Sequence, residues 1–248
     1  MSKRIVAGLW LPLTILALWQ ISSGAGVLNP LFFPSPVTLV GAAGRLIESG
    51  ELPSQLAITL RRIFLGFLIG SGCGLLCGLI MGAVKPVRRS LEPLVAALFT
   101  TPKISLLPML MLFLGVGDTA RILLIAAGSF VVMTLHSMDA VRDVKPGYLD
   151  LARSYNAGRL MLARKVYIPA TLPQIFTGAR LSLGRALIMT VAVELLSCND
   201  GIGSMIWSSW QTFATEKLYV AVITTSMLGA ILHHSLRGLE TKLIPWKQ

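Results

Sequence analysis

Charge is scarce in this sequence. Only 13% of its 248 residues are Asp, Glu, Lys or Arg, about half the share of an ordinary soluble domain, which argues against a water-soluble enzyme. Acidic residues are scarcer still, 11 against 22 basic ones, for a formal net charge of +11. Nucleic-acid binders gather basic residues on polar surfaces. Here they punctuate apolar runs, so no nucleic-acid partner is expected, and membrane lipid with its anionic headgroups fits better. Three cysteines, Cys73, Cys77 and Cys198, cannot build a disulfide framework, and nothing requires an oxidising compartment. Cys73 and Cys77 stand four apart without a His or acidic companion, and His136, His233 and His234 have no spaced ligands either, so no metal centre is expected. No Ser, His and Asp set is placed for nucleophilic catalysis. A G-x-x-x-x-G-K-[ST] loop is also lacking, so the chain cannot cradle ATP by itself.

Apolar residues make up 54% of the chain, and the mean hydropathy is +0.73. They fall into six stretches of helical length, roughly Ile5–Ser22, Ile63–Val84, Pro93–Leu114, Arg121–Met138, Leu172–Cys198 and Leu218–Leu236. A bilayer core of about 30 Å takes about 20 helical residues, and backbone groups in lipid must be satisfied internally. The expectation is an all-α integral membrane protein, one domain over 1–248, with six transmembrane helices. Lys3 and Arg4 before the first stretch, and Ser22 to Gly26 after it, resemble a secretory signal. Five further stretches favour an uncleaved orienting span. With the amino terminus inside, fourteen basic residues fall on inner loops and tails and five on outer ones, which puts both termini in the cytoplasm. Val37–Glu48 reads as an interfacial helix, and Met205–Phe213, with Trp207 and Trp210, as a short outer segment.

The second stretch carries Gly66, Gly70, Gly74, Gly78 and Gly82, each four residues apart. Small residues on one stripe let a neighbouring backbone come close. The ladder is either an intrachain packing contact or a moving or intersubunit one. Lys103, Arg180, Arg185 and Glu194 lie within the spans, where an ionised group is costly unless paired or wet. Together the cations are candidates for helping an anion across. The alternative is structural: Arg185 pairing with Glu194, Glu194 with Arg61 or Arg62, or snorkelling to the interface.

Between the fourth and fifth stretches, the inner loop 145–169 runs Lys145-Pro146-Gly147-Tyr148 and on through Asp150, Leu151, Ala152, Arg153, Tyr155, Asn156, Ala157 and Gly158. After the Pro-Gly turn the apolar spacing predicts a short amphipathic helix that Asn156 interrupts. A second helical stretch, Arg159–Tyr167, runs into Ile168-Pro169, and Pro169 and Pro173 suit the start of a new helix better than its middle. By charge alone the loop is a solvated basic segment or a docking element, equally.

This loop resembles the signature of permease subunits of binding-protein-dependent ATP-binding-cassette importers: Glu-Ala-Ala, three residues, Gly, nine residues, Ile-x-Leu-Pro. Asp150, Leu151, Ala152, Asn156, Val166, Ile168 and Pro169 hold the corresponding positions with both spacings intact. Asp replaces Glu, Asn replaces Gly, and Leu151 in place of Ala is the largest departure. Leu31 to Pro36, the glycine ladder, Thr101-Pro102-Lys103, Phe113 to Asp118, Gly178 to Leu181, Val193 to Leu196 and Gly201-Ile202-Gly203 extend the resemblance to the nitrate, sulfonate and taurine branch. The resemblance implies a type I importer permease fold in the bacterial cytoplasmic (inner) membrane. It further implies a second permease copy, two cytoplasmic ATPases carrying ATP and magnesium, and a periplasmic or lipid-anchored substrate-binding protein. The loop would be the coupling element, with Val166, Ile168 and Pro169 at its transition into the next helix. The rival reading is an ion-coupled secondary transporter, which needs a proton or sodium relay near the midplane; the sequence offers none.

Overall fold

The computed structural model describes residues 2–155, 157–197 and 199–247, with side chains at all of these except 2–9, 149, 153, 159 and 247. Its regular elements are helical: α1 (Ser2–Gly24), α2 (Pro36–Glu48), α3 (Glu51–Ala83), α4 (Lys85–Thr100), α5 (Leu107–Leu114), α6 (Asp118–Arg142), α7 (Pro146–Ser154), α8 (Arg159–Leu162), α9 (Ile168–Ser197), α10 (Ile202–Gln211) and α11 (Thr215–Leu243). A 3-10 turn, Lys103–Leu106, leads into α5, a π-helical turn, Ala163–Tyr167, separates α8 from α9, and a second 3-10 turn, Pro245–Lys247, follows α11.

Local chemistry sets several of these boundaries. Ser35 Oγ accepts the Thr38 N–H at 3.3 Å and Pro36 opens the first turn of α2, a side-chain cap followed by a residue pre-set for helix. Asp118 in the first turn of α6 and Arg142 in its last complement the helix dipole. Gly201, at φ 93°, occupies the cap before α10, a left-handed backbone that glycine adopts without a Cβ clash.

Among the described residues, α3, α6 and α11 are each long and apolar enough to cross a bilayer; the count rises to five if each of two bent helix pairs forms one span. The expected first span lies within α1, whose residues 2–9 are described by backbone alone. The expected continuous stretch Pro93–Leu114 is broken: α4 ends at Thr100, and the chain turns by 92° before running on through Lys103–Leu114. Pro102 is the physical reason, because its ring disfavours helical backbone at Thr101, which sits at φ −62°, ψ 129°. Pro173 also differs from expectation. It lies inside α9, not at its start, and Thr177 Oγ1 donates to its carbonyl at 3.1 Å.

The chain divides into two compact units. Residues 1–58 and 194–227 form the first, around a core of Ala42, Leu52, Ile202, Met205, Val220 and Ala221. Arg45 and Glu216 pair there at 2.8 Å, Lys217 pairs with Glu51, and Trp19 packs on Tyr219. Trp207 and Trp210 are exposed on α10, with ring centroids 5.1 Å apart.

Residues 59–193 and 228–248 form the second unit, in which α3 and α6 are in near-backbone contact. A Cβ on Gly70 would lie 2.1 Å from Ala126 O, one on Gly74 2.5 Å from Phe130 O, and one on Gly78 2.3 Å from Thr134 O. Gly66 and Gly82 meet Ile125 and Val141 in the same way. Without a hydrophobic driving force between helices in lipid, such close approach makes up association through dispersion. Ser71 Oγ on α3 and Ser182 Oγ on α9 are 2.6 Å apart, and Ser182 Oγ donates to Ser129 O on α6 at 3.0 Å, so buried hydroxyls tie a third helix to the pair.

Candidate functional site

The loop 145–169 is built from short-range bonds. Tyr148 N–H reaches Lys145 O at 3.0 Å, opening α7 at the Pro146-Gly147 turn, and Ser154 Oγ donates to Asp150 O at 3.0 Å. Ala157 N–H bonds back to Ala152 O at 3.0 Å, the wide closure typical of a helix end. Leu162 N–H to Gly158 O at 3.0 Å starts α8. Asn156 lies outside the described residues, as does the Arg153 side chain. The π turn then widens the helix ahead of Pro169, with Ile168 N–H donating to Ala163 O.

The loop presents apolar side chains outward. Leu151 is 59% exposed and Tyr155 80%, and Tyr148, Leu160, Met161 and Ile168 are exposed too. Single exposed apolar residues are ordinary, but a contiguous set marks an interaction surface. Here Tyr148, Leu151, Ala152, Tyr155, Val166 and Pro169 line one groove of about 450 Å³, flanked by Trp246 from the carboxyl-terminal segment. The loop and the loop-to-helix transition, separated by about a dozen residues in sequence, thus share one surface.

The four charged residues expected within the spans are treated differently from one another. Lys103 is buried, and its Nζ donates to Leu98 O at 2.8 Å and Phe99 O at 3.4 Å. It therefore caps the carbonyl end of α4 across the bend, where a cation is favoured. Arg180 pairs with Glu240 at 3.0 Å, and Glu240 is almost fully buried. Glu194 is fully buried and accepts the Gly203 N–H at 3.0 Å, with its carboxylate against Gly201. A negative charge there satisfies the amino-terminal end of α10. Arg185 is half-buried.

Two electrostatic features were not singled out as sites by the sequence. Asp118 gathers three arginines: Arg62 Nε and Nη2 donate to Oδ1 at 3.0 and 2.7 Å, Arg121 Nη1 to Oδ1 at 3.2 Å, and Arg61 to Oδ2. Arg62 is fully buried while Arg61 is largely exposed. The adjacent Arg61-Arg62 pair was the available signal, but its partner is 56 residues away. The Arg180–Glu240 pair is likewise long-range, and Glu240 sits in a stretch whose charges read as an ordinary inner tail.

Comparison with known proteins gives this arrangement a context. Residues 70–245 match the family described as "Binding-protein-dependent transport system inner membrane component". The aliphatic sulfonates transport permease protein SsuC of Bacillus subtilis (strain 168) is 36% identical over 97% of this chain and 87% of its own length. SsuC of Escherichia coli (strain K12) is 33% identical over 97% and 92%. The taurine transport system permease protein TauC of the same strain is 28% identical over 99% and 91%. Among solved structures, an inward-facing form of the MetNI methionine ABC transporter aligns with a TM-score of 0.59 at 19% identity, covering 77% of this chain and 92% of that one. An amino acid ABC transporter crystallised with histidines aligns with a TM-score of 0.58 at 19% identity, covering 84% and 97%. Those two likenesses establish the fold, that of importer permeases. The sequence matches go further: this chain belongs to the family of binding-protein-dependent transport system inner membrane components, as a multi-pass, non-catalytic permease subunit of an ABC importer.

Proposed function

We propose that this permease forms the translocation pathway for a small organic anion of the aliphatic sulfonate or taurine type, in the bacterial inner membrane with both termini in the cytoplasm. The sulfonate and taurine permeases that align along nearly the whole chain support that substrate class. The positive excess of 11 charges suits an anionic cargo. The chain acts as a single permease domain, pairs with a second copy of itself about a two-fold axis, and receives cargo from a soluble or lipid-anchored binding protein. ATP and magnesium sit on two separate ATPase subunits.

The observation that carries the coupling part of this reading is the exposed apolar groove formed by Leu151, Ala152, Tyr155, Val166 and Pro169. On an inner loop, such a surface suits a protein partner better than water. Asp150, Leu151, Ala152, Arg153, Tyr155, Asn156, Ala157 and Gly158 form the lever that an ATPase grips. Nucleotide-driven closure of the ATPases draws the two levers together, and the helices carry that displacement toward the gate as rigid bodies.

Replacing Ala152 with Arg tests this. The expected result is a permease that still inserts and purifies but no longer captures the ATPase in a pull-down; capture at wild-type yield would remove the loop from the interface. Reconstitution with and without the ATPase and binding protein separates the importer from an ion-coupled transporter, since only the latter moves cargo on a sodium or proton gradient alone.

A further inference from the structure

Gly128, midway along α6, is where the stems of Lys103 and Arg185 converge. A Cβ there would meet Met189 Cγ at 3.2 Å, Arg185 Cγ at 3.6 Å and Lys103 Cδ at 3.9 Å. Two cations from different parts of the chain therefore flank one bare patch of helix. Both lie in the same unit. Lys103 is spoken for: its ammonium holds the last carbonyls of α4. Those acceptors are dipoles and leave its charge in place. The Arg185 guanidinium has no hydrogen bond or ion pair to another described residue, in contrast to that of Arg180, which is held by Glu240.

Like charges at membrane depth repel strongly because little water screens them. Such a pair persists where a wet path or an anion offsets the repulsion. The backbone beside it supports the first condition. Irregular backbone inside a membrane is tolerated where it is buried in protein or borders water, and the 92° break between α4 and the Lys103–Leu114 segment places Lys103 at such an irregularity. The chemistry of Arg185 supports the second. A guanidinium presents a planar fork of donors that matches two oxygens of an oxyanion at once.

We propose that Arg185, with Lys103 fixed beside it across Gly128, forms an oxyanion subsite on the translocation path that contacts the sulfonate group of the passing cargo. Gly128 is the third element, because its missing side chain lets both cationic stems approach α6 together. The subsite rests on the anion-importer reading above and adds to it a residue that chooses cargo by charge inside the membrane, after the binding protein has released it.

The experiment uses the complete transporter, with its ATPase and binding protein, in proteoliposomes given radiolabelled butanesulfonate. Uptake and ATP hydrolysis are measured together. Arg185→Gln is expected to lower butanesulfonate imported per ATP hydrolysed at least tenfold, at unchanged assembly yield, while Arg185→Lys keeps a larger share of that ratio than Arg185→Gln. A wild-type ratio in Arg185→Gln overturns the subsite. So does a loss of uptake and hydrolysis in equal proportion, or failure of both variants to assemble, because each marks a packing residue. If the wild-type complex imports none of butanesulfonate, taurine or nitrate, the anion reading itself fails, a result distinguishable from all of these.

Discussion

The contact between α3 and α6 and the loop 145–169 are opposite solutions to the placing of side chains. Along α3 the chain removes them: glycines four residues apart let one helix lie against the backbone of the next. In the loop the chain displays them, with Leu151 and Tyr155 among the exposed apolar residues. In the first region the contact is made within one polypeptide, at each of the five glycines. In the second the apolar side chains stand exposed, and on the proposed function a partner covers them. Substitutions should therefore separate cleanly into those that cost folding and those that cost partnership.

The largest effect belongs to the ladder. Gly70→Leu forces a side chain into the space where even a Cβ would sit 2.1 Å from Ala126 O, so loss of monodisperse protein after detergent extraction is expected. Gly72→Leu, on the same helix but with nothing within 4 Å, should extract like the parent; equal loss in both would mean that the contact does not organise α3. At the Asp118 end of the same helix pair, Asp118→Asn leaves the fully buried Arg62 without that carboxylate. Losing that charge-assisted contact should cost about 1.5 kcal/mol or more, read as a lowered thermal unfolding midpoint, whereas Arg61→Gln at the exposed position should cost under about 1 kcal/mol.

Leu151→Ser in the loop should leave that midpoint alone and weaken ATPase capture about tenfold in a titrated pull-down, equivalent to roughly 1.4 kcal/mol. A lowered midpoint with intact capture would reverse the contrast between the two regions. The smallest change is Gly72→Ala, expected to be neutral or to raise the midpoint slightly, since alanine is a better helix former by up to about 1 kcal/mol.

What could be read from the chain beforehand followed the range of the interaction. The ladder was legible because its period is local to one helix, and the loop because its turn residues and prolines are spaced within a few dozen positions. The helices over Val37–Glu48 and around Trp207 and Trp210 were legible for the same reason, being bounded by Pro36 and Gly201. The break at Thr101–Pro102 was hidden inside an apolar stretch whose hydropathy alone suggested one span. Partners were the least legible. Arg180 and Glu240 stand sixty positions apart, and nothing in either neighbourhood names the other. The sequence offers cationic partners for Glu194, and one of its contacts is the Gly203 amide, a backbone group with no signature in sequence. Lys103 likewise spends its donors on carbonyls.

The π turn over Ala163–Tyr167 gives the length of the chain a meaning that its composition lacks. A wide turn holds roughly one residue more than an ordinary one, and each residue of an α-helix advances the screw by about 100°. Because the extra residue is taken up within the turn, deleting one residue from this stretch would close it to an ordinary turn and leave α7 and α8 at nearly the same azimuth to α9, whereas deleting one from the regular run of α9 would rotate them by about 100°. The wide turn thus buffers the facing of the groove against a change of length that the regular helix after it would pass on in full.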